Sequence, residues 1–289
     1  MVDEKAREML GKIGQVLADM SKLRSQSTLI LPETREELGC LVSVIGRALI
    51  TGKPMTLYTP LCPDWSRDEN GRYDFKSLGG GESAIAKKVL KYSPDFLRIL
   101  AKHSVPYRGL LIFADWGMET ELNAKDQFGS KLSLEDVQML FQSSIAKTDE
   151  HLLELQQKGP DRELFAPFSL VAMTDFLDET GLDLDQLDAK FRALFLKNAK
   201  GKKLFKKLVG GIEEINQERG ITHEENSRQC LENLIDYAIF GQALASHGVI
   251  IGCESLTASK AYNLFRGADV KAPLVFVLGK GNDSAVNIG

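Results

Sequence analysis

The chain has 289 residues, 43% of them hydrophobic and 26% charged. That is ordinary globular usage, which supplies a core of normal size and excludes collagen-like, disordered and disulfide-scaffold readings. With 36 basic against 40 acidic residues the net charge is −4, so no global field draws the chain onto nucleic acid. The length admits one large domain or two ordinary ones. No apolar run reaches about 18 residues, which argues against a membrane span. The start, Met1-Val2-Asp3-Glu4-Lys5, lacks the basic and apolar stretches of a signal peptide. Cys40, Cys62, Cys230 and Cys253 are too few for a disulfide framework, and point to a reducing, cytoplasmic setting.

Ala6 to Lys22 sets Met9, Leu10, Ile13, Val16, Leu17 and Met20 at helical spacing, so an amphipathic helix is predicted first. Thr28-Leu29-Ile30-Leu31 is a short apolar stretch that Pro32 stops. Thr34 and Glu37 form a capping-box pair, after which Leu38, Leu41, Val42, Ile45 and Leu49 make one stripe ending at Gly52-Lys53-Pro54. Met55 to Thr59 reads as a strand. Pro60 to Gly81 reads as a long loop, of a length that is usually functional in compact domains. Ser83 to Tyr92 is helical, and Ser93-Pro94-Asp95 starts a second helix to His103. Gly109 to Ala114 is apolar without alternation, the pattern of a strand covered on both faces. Ser133 opens a helix to about Gln157, and Pro160 to His247 reads as mostly helix, with Thr222 and Glu225 repeating the capping box. Gly248 to Cys253 and Leu274 to Leu278 return to strand, with a helix from Thr257 to Phe265 between them.

Strands separated by helices must be joined by crossovers, because a parallel neighbour cannot be reached by a tight turn. The predicted class is α/β: a mostly parallel sheet of about five strands flanked by helices, in a single domain over residues 1–289. Residues 133–247 form a large helical insertion or subdomain between the third and fourth strands.

In open parallel sheets, ligands bind where the carboxyl ends of the strands, helix N-termini and loops gather. The strand at Met55 delivers Thr59, Cys62, Asp64 and Trp65 to that edge. The strand at Gly109 delivers Asp115, Trp116 and Glu119; the strand at Gly248 delivers Glu254 and Ser255; the last strand delivers Lys280, Asn282 and Asp283. Asp115 is the foremost candidate. A carboxylate straight after six apolar residues can orient a hydroxyl, an amine or a metal-bound water, although Asp also opens turns. Glu254 and Ser255 come next, and Ser255 can equally cap the following helix. Gly80, Gly81 and Ser83, in Gly79-Gly80-Gly81-Glu82-Ser83, can offer amide donors to a phosphate. The stretch matches neither the dinucleotide nor the Walker pattern, and a lid or plain turn competes with it.

Cys62 has no histidine partner implied by sequence. No Cys-x-x-Cys or His-Glu-x-x-His occurs, so no metal centre is expected; magnesium held by Asp115 and a substrate phosphate is the one cofactor kept open. Lys197, Lys200, Lys202, Lys203, Lys206 and Lys207 form the one basic cluster, read as a solvated face or a phosphodiester contact.

Leu57 to Asp115 runs as a strand, a Pro-containing loop, a helix pair and a strand ending in Asp. This order resembles the isonitrile synthases related to the pyoverdine and dityrosine biosynthesis proteins. The later part is similar in order to the cyclodipeptide synthases: a helix Leu231 to Ala245 carrying Tyr237, then the strands Gly248 to Cys253 and Leu274 to Leu278. These resemblances imply a Rossmann-like fold on a class I aminoacyl-tRNA-synthetase-like core, and add Tyr237 to the candidate substrate contacts. Cyclodipeptide synthases carry a nucleophilic serine after the first sheet strand, where this chain has Thr59 or Cys62. Their late helix pairs a Tyr with a Glu four positions on, where Tyr237 is followed by Gly241.

The expected function is a Rossmann-like enzyme of small-molecule biosynthesis, transferring a group on a small amine- or phosphate-bearing substrate. Asp115 acts as base or orienting carboxylate, Glu254 and Ser255 position polar groups, and Thr59, Asp64 and residues 79–83 cover the site. The competing expectations are a tRNA- or RNA-binding module working through the Lys197–Lys207 cluster, and a protein-interaction module.

Overall fold

The structure is a computed structural model that describes residues 4–25, 29–30, 35–67, 69, 73–115, 132–218, 221–244, 248–252, 260–266 and 272–277. The helices are α1 (Glu4–Ser25), α2 (Arg35–Thr51), α3 (Ala84–Tyr92), α4 (Pro94–Lys102), α5 (Leu134–Lys158), α6 (Arg162–Phe165), α7 (Met173–Asp178), α8 (Leu184–Lys197), α9 (Ala199–Glu218), α10 (His223–Ala243) and α11 (Ala261–Leu264). The strands are β1 (Leu29–Ile30), β2 (Met55–Leu61), β3 (Trp65–Arg67), β4 (Tyr73–Leu78), β5 (Tyr107–Phe113), β6 (Phe168–Ala172), β7 (Gly248–Gly252) and β8 (Leu274–Val277). They fall into two compact units. One holds all eight strands, α1 to α6 and the start of α7; the other holds the rest of α7 and α8 to α11.

In the first unit the sheet order is β1-β8-β7-β2-β5-β6. Every pair from β8 to β6 is parallel; only the two-residue β1 runs antiparallel, against β8. The chain enters at the central strand β2, builds outward through β5 to β6, then returns to β7 on the other side of β2. Counting the five parallel strands in chain order, this is the Rossmann arrangement 3-2-1-4-5, with its topological switch point between β2 and β7.

The apolar runs follow from burial on both faces. Every residue of β2 is buried. Met55, Leu57 and Leu61 join Leu111, Phe113, Val249, Ile251 and Val275 in one hydrophobic cluster with residues of α1 to α5. Thr56 and Tyr58 point to the opposite face, where Ile112 and Ile250 are buried too. Each such large apolar side chain contributes about 1.5–3 kcal/mol on burial. Side-chain caps set the helix starts. Ser83 Oγ accepts from the Ala86 N–H on α3, and Ser133 and Asp136 close a full capping box on α5. Asp19 on α1 accepts from Lys102 at 2.6 Å and pairs with His103 at 3.0 Å at the end of α4. Those partners, with Lys22, hold its carboxyl well below the usual range.

Two expectations change. Residues 60–81 are not one loop: β2 continues through Pro60 to Leu61, and β3 and β4 pair as an antiparallel hairpin with a register shift between Trp65 and Arg67. The span 133–247 is not purely helical, because β6 lies within it and extends the sheet beyond β5. Five residues between helices carry too little periodicity to announce a strand, and pairing with β5 from Gly109↔Phe168 to Phe113↔Ala172 decides the matter. Gly109 makes that pairing possible, since any Cβ there would collide with the Phe168 ring. The last helix is described only as Ala261–Leu264; Cys253, Thr257 and Leu278 lie outside the described residues.

The second unit is helical. Phe191 and Phe195 of α8 pack on Phe265, and Tyr262 of α11 stacks on Tyr237 of α10. Arg192 joins α8 to α10, meeting both Glu232 oxygens at 2.7 Å and Asp188 at 3.1 Å. Asp236, one turn beyond Glu232, has its carboxyl pushed up to about 8, by burial first and then by Glu232 and Asp188, with Arg192 opposing.

Candidate functional site

The carboxyl edge of the sheet brings together the exits of β2 and β5. The ladder continues one step past the strands, with the Ala114 N–H donating to Leu61 O at 2.8 Å, so Asp115 lies one strand from Cys62. A tight turn follows, in which the Asp115 N–H donates to Phe113 O. Asp115 Oδ1 then accepts the N–H of Thr174 at 2.9 Å. That bond reaches the start of α7, and it leaves Oδ2 without a hydrogen bond among the described residues; the turn after Asp115 lies outside the described residues. Thr174 Oγ1 is buried and has no hydrogen-bond partner among the described residues. Thr59 is fully buried within β2, below the rim, and its Oγ1 is likewise without a partner among the described residues.

Past β2 the polar residues knit the hairpin and the glycine turn to α5. Asp64 Oδ2 accepts from the Gly81 N–H at 2.9 Å, and Asp64 O accepts from the Gly79 N–H at 3.0 Å. On α5, Ser144 Oγ accepts from the Asp64 N–H at 3.0 Å, Ser143 Oγ donates to Gly80 O at 2.7 Å, and Thr148 Oγ1 accepts from the Ser83 N–H at 3.1 Å. His151 Nδ1 is hydrogen-bonded to Glu82 Oε1, and Lys87 Nζ stands 3.4 Å from the other Glu82 oxygen. Ser144, Thr148 and His151 recur at i, i+4 and i+7, one face of the helix, with Ser143 beside them. The amides of Gly81 and Ser83 are thus already engaged by protein acceptors. A Cβ on Gly79 or Gly81 would run into the Asp64 carboxylate, and Gly80 has a φ of +63°, so each glycine has its own reason.

Sequence reading missed His151, Glu82 and Thr174. Glu82 and His151 are 69 residues apart, with no local signal to link them, and Thr174 follows a strand that was not recognised. Of the other candidates, Cys62 and Trp65 are half-buried beside the β2 exit, and Tyr237 belongs to the second unit, stacked on Tyr262. Trp116, Glu119, Glu254, Ser255, Lys280, Asn282 and Asp283 lie outside the described residues. Lys197 ends α8; Lys200, Lys202, Lys203, Lys206 and Lys207 lie on α9. All six are exposed, and none makes an ion pair among the described residues.

A notch of about 560 Å³ lies at the opposite, amino edge of the first unit, lined by Arg98 and residues 159–164. Arg98 there is gripped by both Asp161 oxygens at 2.8 Å and by Asp95, so its charge is spent inside the protein. Among the described residues no three His, Cys, Asp or Glu side chains converge as a metal ion would require, and no helix is long and apolar enough to cross a membrane.

No protein-family model matches the chain, and neither does any curated protein. Among solved structures, the chain is similar to PvcA from Pseudomonas aeruginosa, with 10% identity and a TM-score of 0.51 over 95% of this chain and 93% of that one. It also matches a CDPS from Fluoribacter dumoffii (12% identity, TM-score 0.46, 77% of this chain and 88% of that one). A cyclodipeptide synthetase of Mycobacterium tuberculosis matches at 12% identity and a TM-score of 0.43, over 86% of this chain and 91% of that one. Both families resembled by the sequence occur in this group. The PvcA likeness shows a shared Rossmann-like fold, which the strand order bears out; it says nothing of activity.

Proposed function

We propose that the chain is a Rossmann-like biosynthetic enzyme that transfers a group on a small amine-bearing substrate, bound at the carboxyl edge of β2 and β5. One observation carries this reading: Asp115 stands at that edge, one strand from the β2 side of the switch point, with one carboxylate oxygen uncommitted among the described residues. There, Oδ2 orients the substrate's amine and accepts a proton from it. Cys62, Asp64 and Trp65 form the wall on the β2 side, with Thr59 buried beneath it, and the latched turn at residues 79–83 shapes it instead of cradling a phosphate. Where the substrate also bears a phosphate, Asp115 is the residue that would hold a magnesium ion, which would supply positive charge to that phosphate.

The test is a thermal-shift panel of nucleotides, amino acids and sugar phosphates on the wild type and on Asp115→Asn. Amine-bearing compounds are expected to raise the wild-type Tm and to lose that effect in the variant; equal shifts in both proteins would refute the reading.

A second reading rests on α9. Its five exposed lysines, without ion pairs among the described residues, form a basic face suited to the phosphodiester backbone of RNA, including tRNA. Binding that weakens steeply with salt supports it, and absence of binding at low salt removes it.

A further inference from the structure

We propose that Thr174 is a second contact for the substrate's ammonium group, completing a two-point site with Asp115. This rests on the reading of Asp115 just given and extends it to a residue on a different strand exit. Asp115 and Thr174 stand two residues past the same rung, Phe113↔Ala172, on neighbouring parallel strands, and are joined by the Thr174 N–H to Asp115 Oδ1 bond. That bond uses the backbone of Thr174 and one oxygen of Asp115. What remains, among the described residues, is carboxylate Oδ2 without a hydrogen bond and the buried Oγ1 hydroxyl without a partner.

A buried hydroxyl without a hydrogen bond forfeits its water and gains nothing in return; Thr59 and Ser93 share that state among the described residues, and Thr174 differs from them in its bond to Asp115. An ammonium group has three N–H donors and no acceptor. One N–H satisfies Oδ2 with full charge complementarity, and a second satisfies the lone pairs of Oγ1. A carboxylate ligand would be repelled by Asp115, and a neutral alcohol would lack the charge. The free hydroxyl is enclosed, so its engagement goes with a χ1 rotation between the two rotamers that Thr commonly populates.

The experiment uses the full chain and three isosteric probes: n-propylammonium, n-propanol and propionate. Each is titrated against the Thr174 backbone amide resonance in wild type, Thr174→Val and Asp115→Asn. Propylammonium is expected to shift that resonance and the other two probes to leave it. Valine keeps the shape and removes the hydroxyl, so Thr174→Val should weaken propylammonium binding about fivefold, the size of one net hydrogen bond, without lowering Tm. Two results would overturn the proposal: unchanged affinity in Thr174→Val, or a lower Tm in that variant, which would assign the hydroxyl to the fold through a buried water. If Asp115→Asn abolishes binding while Thr174→Val does not alter it, the contact fails and the function above stands. If the wild type binds no amine, both fail together.

Discussion

Asp115 and Thr174 leave the sheet on adjacent parallel strands and are tied at the first opportunity, through a backbone N–H that donates to Oδ1 at 2.9 Å. The same carboxylate thus fixes the start of α7 and stands at the rim of the proposed crevice. The two tasks separate by substitution. Asp115→Asn keeps an oxygen for the Thr174 N–H and should melt close to the wild type. Asp115→Ala strands that N–H, and should lose about 1 kcal/mol, roughly 2–4 °C in Tm. Calorimetry of the three proteins checks this; equal losses in both variants would show that the charge, and not the acceptor, supports the fold.

The glycine turn offers a contrast between crowding and freedom. Gly81 lies against the Asp64 carboxylate, so Gly81→Ala should destabilise by about 1–3 kcal/mol through overpacking. Gly14, within α1, faces open space, so Gly14→Ala should stabilise by about 0.5–1 kcal/mol. Denaturant midpoints of the two variants, expected to move in opposite directions, make the measurement.

Asp236 gives the second unit a pH dependence of defined sign. Burial and its acidic neighbours raise the folded pKa to about 8, above the ordinary carboxylate value, so the fold favours the protonated form. That contribution is fully present below about pH 4 and is lost as pH rises towards about 8. Asp236→Asn carries no such charge, and its gain in stability over the wild type should grow between about pH 5 and about pH 8.5. Urea unfolding at both pH values checks this; a gain independent of pH would contradict the raised pKa.

If the lysine face of α9 binds RNA, affinity should fall linearly on a log–log plot against salt. Reversing Lys202, Lys203, Lys206 and Lys207 to Glu should flatten that plot. Filter binding across a salt series reads both, and an unchanged slope would release these lysines to the role of a solvated helix face.

Much of this architecture is legible in the residues, and the parts that are not share a cause. The buried runs at Met55, Gly109 and Gly248 announce strands because burial on both faces leaves no polar position to disguise them. Caps at Ser83, Ser133 and Thr222 mark helix starts because each cap is a local event within four residues. Strand β6 is different. Its five residues become a strand by pairing with β5, some sixty positions away, and nothing local declares it. Thr174 was invisible for the same reason, as was the meeting of Glu82 with His151. Asp115 could be placed at a strand exit from sequence, since that depends only on where an apolar run stops; its bond to Thr174 could not.

Where a ligand sits decides whether the carboxyl edge of β2 and β5 is the site. Backbone chemical-shift mapping with the amine-bearing compound that stabilises the protein most is the direct measurement. We predict the largest changes at Leu61 to Asp64 and at Ala114 to Asp115, where the central parallel strands end. Changes centred instead on Arg98 and residues 159–164, at the amino edge, would contradict it.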